Sequence, residues 1–141
     1  MGNSQSSTIK INYEDIQYIL KNPENYLLIN TLSNSEQNCL IVNTINIKDE
    51  ENIINNFIKN GRKDIKIIIY GKNCNDDKTI NKYNQLNLLG FYNVYIYVGG
   101  LFEWLMLQDI YGENEFPTTK KELDLLKFKP HKVLNLPLLE Y

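Results

Sequence analysis

Apolar residues recur along the chain in two alternating rhythms. Ile16, Ile19 and Leu20 share one helical face, which Asn12 caps and Asn22-Pro23 stops, and Ile11 is placed to staple onto Ile16. A second helix begins at Asp49, with Ile53, Ile54, Phe57 and Ile58 as its buried stripe and Gly61 at its end. A third runs from about Lys78 to Leu89, with Ile80, Tyr83 and Leu86 turned inward and Gly90 closing it. Gly99-Gly100 leads into a fourth over Leu101 to Leu107. Pro117-Thr118-Thr119 opens a last helix, in which Thr119 and Glu122 have capping-box spacing.

Between these helices lie short apolar runs at Tyr26 to Ile29, Ile65 to Tyr70 and Val94 to Tyr97. The β-branched run Ile67-Ile68-Ile69 marks a central strand buried on both faces. Cys39 to Val42 and Ile45 to Ile47 read as a further extended stretch. Strands that alternate with helices predict an α/β fold, a mostly parallel central sheet flanked by helices. Such sheets place their sites at the carboxyl ends of strands, which selects the loops Gly71 to Asp77 and Val98 to Gly100. The expected organisation is a tail over residues 1–8, one domain over 9–116, and a C-terminal helix and tail over 117–141 packed on it.

Composition narrows the function. With 141 residues, 43% hydrophobic and 23% charged, the chain holds one globular domain. A net charge of −2 leaves no basic excess to neutralise phosphates, so no nucleic-acid partner is expected. No apolar run is long enough to span a bilayer. Cys39, Cys74 and the single His131 are too few for a closed metal shell, so neither metal nor cofactor is expected. Two cysteines without an apolar signal segment point to free thiols in a reducing, cytoplasmic setting. The absence of alanine, the single Arg62 and the abundance of Asn, Ile, Lys and Tyr indicate a source genome rich in A and T.

The stretch from Ile65 to Trp104 resembles the rhodanese domain family: a β-branched strand, a loop, a helix closed by Gly90, a strand, then Gly99-Gly100-Leu101-Phe102-Glu103-Trp104. Upstream, Tyr26 to Thr31 is similar to the family's strand ending in Asp-Val-Arg. Ile41-Val42-Asn43-Thr44-Ile45-Asn46-Ile47 is similar to its His-Ile-Pro-Gly-Ala-Ile-Asn stretch. The similarity runs from about Ile9 to Phe116. It implies a single rhodanese-like domain and sulfur-transfer chemistry, in which a cysteine directly after the central strand carries sulfane sulfur as a persulfide. That step needs a thiolate, which the family's loop stabilises with backbone N–H groups, a helix start and often a basic side chain.

The chain departs from this pattern where the chemistry sits. Gly71 follows the strand in place of the nucleophile, the charged residues of the early strand are Asn30 and Thr31, and the expected His is Leu40. Cys74 stands three residues late but one position from the family's usual spacing to Gly90, so it is a candidate nucleophile. Against that, Asn75, Asp76 and Asp77 follow it, and two carboxylates favour the neutral thiol and repel an anionic donor, which Lys72 and Lys78 offset in part. The competing reading makes Cys74 a loop residue of no function and Asp76 or Asp77 a helix cap.

Gly71, Lys72, Asn73, Asn75, Lys78, Gly99 and Gly100 form the candidate anion or ligand loop, for a small anion or a protein partner. Cys39, among Leu40, Ile41 and Val42, reads as a small buried hydrophobe, Trp104 as structural packing, and His131 as exposed. A phosphatase related to the family needs a cysteine followed by a spaced arginine, and Arg62 precedes the loop.

Met1-Gly2-Asn3-Ser4-Gln5-Ser6 matches an N-myristoylation signal, with Gly2 acylated after Met1 is removed. The bland alternative is a Ser-rich leader that begins with glycine. One acyl chain binds a bilayer marginally, and Lys10 is the nearest basic residue, so the expected membrane contact is peripheral and reversible, at a cytosolic face.

Overall fold

The computed structural model describes residues 8–134. Four strands form one sheet: β1 (Lys10–Ile11), β2 (Tyr26–Asn30), β3 (Lys66–Tyr70) and β4 (Val94–Tyr97), in the order β1-β4-β3-β2. Every pairing is parallel, with Ile68 opposite Leu28 on one side and Tyr95 on the other. Four helices cover it: α1 (Tyr13–Leu20), α2 (Ile47–Lys59), α3 (Lys78–Leu88) and α4 (Gly100–Tyr111).

The two-residue period of β3 divides the core. Ile67 and Ile69 face α2 and α3, where they pack with Ile29, Ile54, Leu86, Phe91 and Val94. Ile68 and Tyr70 face α1 and α4, among Ile16, Ile19, Leu101, Trp104, Phe116 and Phe128. Burying each such side chain contributes roughly 1.5–3 kcal/mol relative to leaving it in water. Polar atoms on these faces have partners. The Tyr70 hydroxyl meets the Ile41 N–H and the Thr44 hydroxyl, and the Trp104 indole N–H donates to the Pro117 carbonyl. Burial pushes the Tyr70 phenol well above the ordinary tyrosine range, so it stays neutral.

Asn12 caps α1 as its sequence implies, accepting the N–H groups of Glu14 and Asp15 while Asp15 returns the bond. Other boundaries differ from expectation. Helix α2 begins at Ile47 and not at Asp49, because Asn46 accepts the Lys48 N–H and starts the turn earlier. In α3, Thr79 is buried where Ile80 was expected, for the Thr79 hydroxyl donates to the Asp76 carbonyl and turns that face inward; Ile80 is exposed. Helix α4 continues to Tyr111. Residues 39–47 form no strand. Their one backbone bridge to the sheet is Thr44 to Leu28, and Ile41 bridges to Thr118.

No helix starts at Pro117. The Thr119 hydroxyl, expected to cap one, accepts the Leu40 N–H, and Gln108 holds the Phe116 carbonyl and the Thr118 hydroxyl. These long-range partners replace the local bonds of a helix. The segment instead runs back through turns across α4 and inserts Phe128 into the core. Cys39 is buried and donates to the Lys120 carbonyl, as befits a small core residue.

Candidate functional site

The loop after β3 is fixed from three sides. The Leu101 N–H donates to the Gly71 carbonyl and the Phe102 N–H to the Lys72 carbonyl, so the start of α4 clamps the loop backbone. Gly100 makes this approach possible. Its φ is +68°, and a Cβ there would lie 2.7 Å from the Gly71 carbonyl oxygen. On the far side, Asn73 is buried and its carboxamide does two jobs: its Oδ1 accepts the Asn75 N–H and its Nδ2 donates to the Phe128 carbonyl. The two loops singled out in the sequence therefore come together, tied to the C-terminal segment through Phe128.

At the focus of this loop sits a carboxylate. Asp76 Oδ2 accepts the Lys72 N–H at 2.9 Å and the Thr31 hydroxyl at 3.3 Å, while Oδ1 accepts the Lys78 N–H at 3.0 Å. The first two donors come from the loop and from the end of β2, and the third from the first turn of α3, where the helix dipole also favours negative charge. The carboxylate stands directly over the Cα of Gly71. A Cβ built on Gly71 would be 2.9 Å from Asp76 Cγ and 2.9 Å from Thr31 Oγ1. A side chain at position 71 and the Asp76 carboxylate thus compete for one volume. The sequence offered Asp76 or Asp77 as the cap of α3. Asp77 immediately precedes the helix but its side chain caps nothing, and Asp76 is the one that accepts the Lys78 N–H. Its second role, filling the cradle, depends on the fold of the loop.

Cys74 lies outside this focus. Its thiol is exposed and its hydrogen-bond partner is Asn75 Oδ1 at a long 3.8 Å. A cavity of about 370 Å³ opens beside the loop, lined by Lys72, Lys78, Glu36, Asp76, Asp77 and His131 among others, and Cys74 is not in its wall. Two ammonium groups there face three carboxylates, and Lys72 is already paired with Glu36 at 3.0 Å. Burial alone would raise the Glu36 carboxyl, but the Ser33 hydrogen bonds and the Lys72 ammonium outweigh it and hold the group below the ordinary glutamate range. His131 is exposed, as expected, yet it and Val133 form the outer wall of this cavity.

The early strand ends in a neutral substitute for a charged framework. Asn30 is buried; its Oδ1 accepts the Leu32 N–H and the Gln37 carboxamide, and its Nδ2 donates back to Gln37. Gly2 and Ser6 lie outside the described residues.

A family model described as the rhodanese-like domain matches residues 16–107, more than half of the chain. No curated protein sequence is significantly similar to it. Among solved structures, the chain is similar to the rhodanese-like domain of an Anabaena protein, at 20% identity and TM-score 0.56 over 94% of this chain and 92% of that one. It is also similar to a yeast protein tyrosine phosphatase of the rhodanese family, at 12% identity and TM-score 0.59 over 86% and 99%. A third match is an As-Sb reductase from Leishmania major, at 18% identity and TM-score 0.53 over 76% and 81%. At these identities the similarity is one of fold.

Proposed function

Because the chain belongs to the rhodanese-like domain family, we propose that it is a non-catalytic binding or regulatory module of that family, held reversibly at a membrane by myristate on Gly2. One observation carries the first half. The position after β3 is Gly71, and the N–H groups that would stabilise a thiolate or persulfide there already hold the Asp76 carboxylate. A second anion would meet that charge at close range in a partly water-excluded loop. The cavity beside it mixes two lysines with three carboxylates, which suits a protein surface bearing both charges better than a small anion. The partner surface is then the loop of Gly71, Lys72, Asn73, Asn75 and Lys78, backed by Gly99 and Gly100.

The phosphatase and reductase named among the structural relatives do not set the activity of this chain. No arginine follows Cys74, and Arg62 lies before β3, at the opposite end of the strand, paired with Asp64. The competing activity is sulfur transfer on Cys74, whose thiol is accessible. Thiocyanate release from thiosulfate and cyanide separates the two readings. The expected rate equals that without protein and is unchanged in Cys74→Ser; turnover that disappears in Cys74→Ser would overturn the proposal. No helix among the described residues is long and apolar enough to cross a membrane, so contact rests on the acyl chain. Intact mass of protein from a eukaryotic host should show added acyl mass that Gly2→Ala loses.

A further inference from the structure

An apolar groove lies beneath α1, over the amino-terminal halves of β2, β3 and β4 and against Ile11 of β1. Its volume is about 160 Å³, and Ile11, Ile19, Ile68, Tyr18, Tyr26 and Tyr95 line it. Strand register explains the alignment. Tyr26 pairs with Lys66, Ile68 with Tyr95 and Ile11 with Tyr97, so residues of all four strands project from one face. These positions occupy three successive levels of that face, so the lining crosses the sheet obliquely, and the four strands together are about 14 Å wide at ordinary strand spacing. Two charged residues, Asp15 and Lys66, stand at its margin, and the Lys66 ammonium lies 5.6 Å from the centre of the Tyr26 ring. Tyr18 meets Tyr26 edge to face.

The N-terminal segment reaches the domain beside this groove. The Ile9 carbonyl accepts the Ile96 N–H, and Ile11, two residues on, is part of the lining. From Gly2 to Ile9, where the chain joins the sheet, it can extend about 25 Å, more than the width of the four strands. We propose that the groove is a docking site in cis for the fatty acyl chain on Gly2. This rests on the acylation reading above and deepens it. A groove of this size holds one end of the chain, whereas a bilayer takes all of it, so the bilayer competes successfully when present and the groove shields the chain when it is not. The same geometry directs the β3 loop, at the opposite end of the strands, away from the lipid surface.

Semisynthetic protein carrying myristate on the Gly2 amine tests the docking whether or not a cell adds the group. Methyl resonances of Ile11, Ile19 and Ile68 should shift relative to the unacylated chain, while those of Ile54 and Ile65, on the other face, stay in place. Groove methyls that do not move would overturn the proposal. So would shifts that appear in the unacylated chain as its concentration rises, since these assign the groove to a second copy. Filling the groove with Ile11→Trp should raise the fraction of acylated protein bound to phosphatidylcholine vesicles several-fold; an unchanged fraction in the folded variant contradicts it. Absence of acyl mass in protein from a eukaryotic host would count against the membrane reading itself, and the semisynthetic result would still decide what the groove binds.

Discussion

At the carboxyl ends of the strands the backbone donors that line the loop are bonded within the chain: Lys72 and Lys78 to Asp76, Leu101 and Phe102 to loop carbonyls. At the amino ends, Tyr18, Tyr26 and Tyr95 border a groove that no described residue fills. The first end has the family's architecture for holding a reactive sulfur, with an internal carboxylate in its place. The second has no part in that chemistry and keeps an opening. The bonds that close the first end join its two loops to each other and to the start of α3, so they are structural bonds.

The most damaging way to break the closed end is to push its two loops apart. Gly100→Val places a branched side chain at a left-handed position and against the Gly71 carbonyl. The expected loss is about 3 kcal/mol of unfolding free energy, read from urea titration. A variant as stable as the wild type would mean that the α4 clamp is not what holds the loop.

Asp76→Ala removes the carboxylate and leaves the Lys72 and Lys78 N–H groups without their acceptor. It should cost about 1–2 kcal/mol, the usual range for a lost helix cap. It should also convert the closed end into an open one: sulfate in solution then raises the melting temperature of the variant and not of the wild type. Equal sulfate response in both proteins would show that the cradle is already accessible.

A smaller effect concerns acid. The Glu36 carboxyl is held below its ordinary range in the folded state, so its contribution is present above the unfolded value, about 4.3, and is lost as pH falls through the lower folded value. Glu36→Gln should therefore be less stable at neutral pH and should converge with the wild type in acid. Curves that stay parallel across that window would remove the Lys72 pair from the account.

The least consequential change is at the thiols. Burial raises the Cys39 thiol above the ordinary range, which keeps it protonated and inert. Iodoacetamide should alkylate the exposed Cys74 well before Cys39, and Cys74→Ser should shift stability by less than about 0.5 kcal/mol, as surface substitutions do.

Much of this frame was readable from residue pattern. The run Ile67-Ile68-Ile69 marked the central strand because only a strand covered on both faces tolerates it. Asn43, within the stretch similar to the family's His-Ile-Pro-Gly, takes a φ of 68°, a conformation asparagine accepts more readily than most residues. Gly99-Gly100 and Trp104 fell where the resemblance placed them. What stayed hidden depends on distant partners. Nothing local to Pro117-Thr118-Thr119 reveals that Gln108, Trp104 and Leu40 engage it and so prevent a helix. A carboxylate cap at Asp76 or Asp77 was legible because capping is local; the position of Asp76 over Gly71 was not, since it requires the loop to fold back until Lys72 N–H and Thr31 reach the same oxygen.

The claim that matters most is that the focus of the loop belongs to a carboxylate and no thiol of this chain can take sulfur there. Treating the protein with thiosulfate and weighing it intact measures this directly. The account predicts an unchanged mass; the gain of one sulfur atom, removed by cyanide and absent from Cys74→Ser, would contradict it.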